Sequence, residues 1–264
     1  MKQEAAMNNF FSFQRFSRLF VKHTAEHYRI YLMSIAVLAG VLLLGGSFLF
    51  FVVPDPPDIG LQTAMFVVLM LIAGTLFTST VFSDFGDKDK AIPALTLPTT
   101  VFEKFLVGWI YSYPVFLLIY TGVFYVALTG LGALRHWDAK QHFVLFSLHQ
   151  DGFYIVIIIY SLLHALALFG AIFFNKLHFI KTGFGFFIGY AVIMIANTSF
   201  LRFITGLSVD KFAMPFGFLN FNVGGKYYAV AAMGLPSLSV ILVLCVSTIL
   251  VWVAAYFRLK EKQV

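Results

Sequence analysis

Charged residues are so spaced along this chain that six apolar stretches between them are each long enough to cross a bilayer. A span needs about 20 mostly apolar residues at ~1.5 Å rise each. Residues 30–53, 61–82, 105–131, 152–174, 182–201 and a last stretch inside 227–257 meet that length, and none of the six contains Asp, Glu, Lys or Arg. The 33 phenylalanines outnumber the 30 charged residues, and 60% of the 264 residues are hydrophobic. A water-soluble domain of this size could not cover that much apolar surface. The pattern predicts an all-α, polytopic membrane protein.

The formal charge of +6 has a topological origin. With both termini in the cytoplasm, the inner segments carry 13 Lys and Arg residues and the outer segments five, namely Arg135, Lys140, Arg202, Lys211 and Lys226. This is the positive-inside bias, so the charge does not call for nucleic acid as a partner. Cys245 is the single cysteine and lies in the sixth stretch, which excludes an internal disulfide and a cysteine-based metal cluster. The first apolar run follows 29 residues, is too long for a signal-peptide core and lacks an Ala-x-Ala exit, so it reads as a retained span.

Ahead of the first span, Phe10, Phe13, Phe16 and Phe20 recur at helical spacing, with Arg15, Arg18 and Lys22 on the opposite side. That arrangement predicts an amphipathic interfacial helix, an elbow over residues 1–29 that lies in the headgroup plane. The six spans then occupy 30–257, with external loops at 131–151 and 202–226, and a tail at 258–264. Both external loops are aromatic for water-facing segments. Anchorage at the outer headgroups is one reading; a partial fold of 202–226 back into the membrane is the other.

The loop 83–104 is the most specific feature. Asp84 to Lys90, including Asp87 and Lys88, forms a polar turn around Gly86, and Ala91 to Leu97 is a short apolar run framed by Pro93 and Pro98. Thr100 and Glu103 have capping-box spacing: the Thr hydroxyl can accept from the N–H of Glu103 while the carboxylate accepts from the N–H of Thr100. A helix is therefore expected to start at Thr100 and run into the third span. Ile92, Leu95 and Leu97 would be bare in water, so they bury against the lipid interface, the chain's own elbow or a partner.

Catalytic signals are sparse. His23-Thr-Ala-Glu-His27 matches a zinc-protease pattern in which two imidazoles one turn apart hold the metal and Glu26 serves as base, but it lacks an evident third ligand. No span carries a carboxylate pair or a Gly-x-Ser-x-Gly elbow, and Gly224-Gly225-Lys226 lacks the spacing and hydroxyl of a nucleotide-binding loop. His164 in the fourth span reads as a packed, hydrogen-bonded histidine. Pro114 should bend the third span. Gly185 and Gly189 form a Gly-x-x-x-Gly surface suited to close helix approach and, more weakly, to a subunit interface.

The stretch Leu95-Thr-Leu-Pro98-Thr-Thr-Val-Phe-Glu103-Lys104 resembles the Leu-x-Leu-Pro-x-Ser/Thr-x-x-Glu-Lys motif of type-2 ATP-binding-cassette export permeases, particularly compact ones of Bacteroidetes-like bacteria. The elbow, the six spans and the tail ending Tyr256-Phe-Arg-Leu-Lys-Glu-Lys-Gln-Val264 resemble that family too. Gly108 departs from it, because many relatives carry a basic residue there. The resemblance implies a multi-pass protein of the bacterial inner membrane with cytoplasmic termini, whose two copies form a translocation pathway. It implies a transport subunit without an ATPase site of its own; ATP and Mg would be bound by a separate ABC ATPase. Asp84, Asp87, Lys88, Leu95, Leu97, Pro98, Glu103 and Lys104 would form the coupling contact. A stand-alone secondary carrier or channel, and a zinc enzyme using His23, Glu26 and His27, are the competing classes. The uncharged spans favour an amphipathic or lipid-like cargo, or a peptide, over a small ion.

Overall fold

The computed structural model describes residues 11–53, 55–86, 99–135, 143–149, 152–206, 219–223, 226–230 and 238–262. Among them are six helices long and apolar enough to span a membrane. These are α1 (Phe13–Phe51), α2 (Ile59–Gly86), α3 (Val101–Leu134), α4 (Phe153–Phe173), α5 (His178–Thr205) and α6 (Leu238–Glu261). The chain is thus a multi-pass α-helical membrane protein.

The elbow expected ahead of the first span is not a separate element. Residues 13–29 are the start of α1, which continues for 39 residues. At 1.5 Å per residue it is about 58 Å long, well beyond the hydrocarbon thickness. The physical reason lies in the sequence: no Gly or Pro occurs between Ser12 and Gly40, so nothing interrupts the backbone ladder. Lys22 and Glu26 pair at 3.6 Å just ahead of the junction, adding i,i+4 support. The phenylalanine stripe is divided in use. Phe16 and Phe20 pack around buried Leu19, Val107 and Tyr111, whereas Phe13 is exposed.

Helices α1 and α3 pack together, α2 packs on α4, and α4 packs on both α5 and α6. Half of the apolar window of α4 is buried, against none of that of α5, so α4 is the central post and α5 a peripheral one. Aromatic rings dominate the main core, where Phe66, Tyr120, Phe124 and Phe146 meet edge to face or stacked. Phe146 belongs to the aromatic connection between α3 and α4. That connection is drawn inward by Gln62, whose amide donates to the carbonyls of Pro57 (2.8 Å) and Val144 (2.9 Å) and accepts from the N–H of Phe146 (3.1 Å). At the end of α1, Arg135 donates to the carbonyl of Phe50 in the last turn and to that of Val53 just past it, where a helix end favours a cation.

Pro114 distorts α3 as its missing N–H requires, but through a π-helical turn, Tyr111–Val115. The turn sits against His164 of α4. Trp252 Nε1 donates to His164 Nδ1 at 3.1 Å, which fixes the ring's proton on Nε2, and Nε2–H donates to Ser112 Oγ at 2.9 Å. His164 is therefore a neutral, fully buried link between α3, α4 and α6, as its sequence context implies.

The segment after α5 holds a two-stranded antiparallel hairpin that the sequence reading did not include. Strand β1 (Leu219–Val223) pairs with β2 (Lys226–Val230), Leu219 opposite Val230 and Val223 opposite Lys226.

His164→Leu removes the partner of both the Trp252 N–H and the Ser112 hydroxyl. Each interhelical bond contributes about 1 kcal/mol in a membrane. The variant should therefore unfold at a lower temperature than the parent in the same detergent, and an unchanged midpoint would show that the link contributes nothing.

Candidate functional site at the α2–α3 connection

The sequence singles out the loop 83–104, and the described residues show how its two ends are held. Helix α2 ends at Gly86 with carbonyls that have no partner inside the helix. Lys262, just past α6, donates its Nζ to the carbonyls of Phe85 (3.1 Å) and Gly86 (3.4 Å). Burial, with Arg258 nearby, holds the amine below the usual lysine range. Gly86 itself abuts the α4–α5 connection: a Cβ there would lie 2.9 Å from the Phe174 carbonyl oxygen and 2.6 Å from His178 Cε1. Only glycine fits so close an approach.

The far end is held by Glu103. Thr100 caps α3, and both bonds of the capping box are present: Glu103 N–H to Thr100 Oγ1 at 3.3 Å and Thr100 N–H to Glu103 Oε2 at 3.0 Å. The carboxylate then does more than a cap requires. Its Oε1 accepts from the backbone N–H of Ser12 at 2.7 Å, and the Arg15 guanidinium donates to it at 3.1 Å. The Glu103 side chain is fully buried and that of Arg15 one third exposed. Burial alone would raise the carboxyl, but Arg15 and the N–H groups of Ser12 and Thr100 outweigh it and hold the group below its ordinary value. Glu103 thus pins the start of α1 to the start of α3. Lys104, also buried, is pushed down by desolvation, which the charge of Glu103 partly offsets.

Around these tethers Phe11, Phe102, Phe105 and Tyr256 form a chain of ring contacts joining the starts of α1 and α3 to the end of α6. Gly108 has a packing role. A Cβ at this position would lie 2.8 Å from the Phe82 ring, so α3 approaches α2 too closely for a larger side chain there. The buried Thr99 Oγ1 and His178 Nδ1, one beside each end of the loop, have no hydrogen-bond partner among the described residues.

Of the residues expected to form the contact, Asp84 lies in the last turn of α2, while Asp87, Lys88, Leu95, Leu97 and Pro98 fall outside the described residues. Glu103 and Lys104 face the chain's own interior. Sequence reasoning missed Ser12, Arg15 and Lys262 as members of this site. Gly185 and Gly189 lie on α5 with open space over both, which leaves that face accessible to another helix or to lipid. In the zinc-like motif, Glu26 pairs with Lys22 and the His23 ring is hydrogen-bonded to Tyr31 Oη at 2.5 Å. Among the described residues no three His, Cys, Asp or Glu side chains are grouped to hold a metal.

Compared with known protein families, with curated proteins and with solved structures, the chain gives no match. The class that its own residues define is a multi-pass membrane protein, with six spanning-length helices among the described residues and a connection held at both ends by charged side chains.

A double-mutant cycle on Arg15→Ala and Glu103→Ala should give a coupling of about 1–3 kcal/mol in unfolding free energy, the range for hydrogen bonds to charged groups. Additive effects would mean that the two helices are held by other contacts.

Proposed function

We propose that this chain is the membrane subunit of an ATP-driven exporter, working as a pair of copies with a separate ATPase docked on the 83–104 loop at the cytoplasmic face of a bacterial inner membrane. The observation that carries the reading is the bracing of that loop. Residues 83–86, at its near end, are the last turn of α2, fastened by Lys262, and its far end is the Thr100–Glu103 capping box, fastened by Arg15 and Ser12. A loop that merely joins two spans has no need of a tether at each end. A loop that transmits force does, because a partner shifts a conformational equilibrium only through contacts that differ between the two states, and a slack contact yields instead.

In this reading Leu95, Leu97 and Pro98 make the apolar contact with the ATPase, and Asp84, Asp87 and Lys88 flank it. Glu103 and Lys104 act from beneath as positioning residues. Motion of the loop passes into α2 and α3, which meet at Gly108 and Phe82, and from α3 through Ser112 and His164 into α4 and α6. The fifth helix, unburied and glycine-faced, supplies the surface for the second copy. ATP and Mg are bound by the partner.

The test is co-expression and reconstitution with a separate ABC ATPase of the same cell. Leu97→Asp should lower ATPase association at least tenfold, because an apolar contact would then bury a charge. Glu103→Gln should leave association intact and lower transport per ATP hydrolysed. Undiminished association of the Leu97 variant together with normal coupling of the Glu103 variant would overturn the assignment.

A further inference from the structure

Four helix ends meet at one level of the bundle, beside the near end of the 83–104 connection. Helices α2, α4 and α6 finish there and α5 begins, since Gly86 abuts the Phe174 carbonyl and His178 while Lys262 reaches the Gly86 carbonyl. The segments that bring α4, α5 and α6 to this level, 173–181 and 256–262, carry Lys176, Lys181, Arg258, Lys260 and Lys262. Their only acid is Glu261.

Three of these cations converge. The Arg258 guanidinium lies 5.1 Å from the centre of the Phe173 ring and the Lys181 amine 5.7 Å from that of Phe174, and the two rings are 5.1 Å apart. Lys262 is near enough to Arg258 for the two charges to oppose each other, which adds to the burial that lowers its amine. Like charges held together cost free energy unless an anion joins them. Glu261 accepts from Arg258 Nη1 at 2.8 Å, but the buried Arg258 Nε and the buried His178 Nδ1 have no hydrogen-bond partner among the described residues. Topology accounts for the number of cations on this face of the membrane. It does not account for their convergence on unpaired nitrogens, which a phosphate, with several acceptor oxygens, would satisfy.

The apolar neighbours decide where such a phosphate comes from. Phe173, Leu177, Phe179 and Ile180 are all exposed beside the same cations. Leu177 lies between Lys176 and His178, in a left-handed conformation (φ 55°) that is unusual for a bulky residue. It is 64% exposed. A site for a soluble anion has no use for an apolar rim, whereas a lipid brings its acyl chains alongside its headgroup.

We infer that this patch binds the phosphate of an anionic phospholipid, with His178, Lys181, Arg258 and Lys262 around the headgroup and Phe173, Leu177 and Ile180 among the acyl chains. The inference does not rest on the exporter assignment, since lipid binding requires neither ATP nor a partner subunit.

The test equilibrates the full chain, purified in detergent without a partner, with phosphatidylglycerol or phosphatidylcholine and counts the retained lipids by native mass spectrometry. The parent should retain phosphatidylglycerol in preference to phosphatidylcholine. Lys181→Gln, at an exposed position, and Arg258→Gln should each lower that preference about fivefold. Arg18→Gln removes an exposed charge of α1 outside the patch and should leave it unchanged. An equal loss on Arg18→Gln would mean a response to total charge and overturn the inference. Equal retention of the two lipids by the parent would mean that the chain's own acids, such as Asp84 in the last turn of α2, already answer the cations, and would also overturn it. Displacement of the retained phosphatidylglycerol by millimolar inorganic phosphate would assign the patch to a soluble anion instead of a lipid.

Discussion

A buried carboxylate in a protein of this kind must be matched by donors, and Glu103 shows what the matching achieves. Its two oxygens accept from the N–H groups of Ser12 and Thr100 and from the Arg15 guanidinium, so one side chain starts α3, holds the beginning of α1 against it and keeps its own charge. Removing the water that would otherwise solvate the carboxylate strengthens each of these bonds and makes their loss costly. The rest of that face depends on the arrangement. The ring contact of Phe11 with Phe102 requires α1 and α3 to begin at the same place, and Phe102 carries the contact on to Tyr256 of α6.

The same economy recurs wherever a helix ends or a polar group enters the spans. Arg135 occupies the carbonyl end of α1 and Lys262 that of α2, each contributed by a distant segment and each set where the helix dipole attracts a cation. Deep in the bundle, His164 accepts from one helix and donates to another, leaving no polar hydrogen of its ring unused. In hydrocarbon such links replace water as the partner, and their satisfaction specifies which helices meet. The charged residues of this chain are few, and the described ones are placed mostly where they terminate or join helices.

How much of this was legible in the sequence follows from the range of each interaction. Apolar length alone located all six spans, because the bilayer imposes that length on every segment. The capping box was legible too, since Thr100 and Glu103 are three residues apart, and so was the distortion at Pro114. By contrast, Arg15 and Glu103 are separated by 88 residues and Lys262 and Phe85 by 177, distances over which no local pattern carries information. The elbow was misdivided for a different reason. Charge and phenylalanine periodicity suggested a change of environment, but only a backbone breaker could have turned that into a break in the helix, and none is present. The hairpin had a local signal, Gly224-Gly225 between aromatic runs, a dipeptide suited to a two-residue turn.

Bracing at both ends gives the 83–104 loop its significance, and the account stands on that loop being a contact for an ATPase. Cross-linking reads this contact directly. With Cys245 replaced by Ser and Leu97 by Cys, and a partner ABC ATPase carrying one surface cysteine co-expressed, a short bismaleimide should join the two proteins with a yield that changes on addition of ATP and Mg. Cross-links confined to the chain's own α1, with none to the ATPase under either condition, would contradict it.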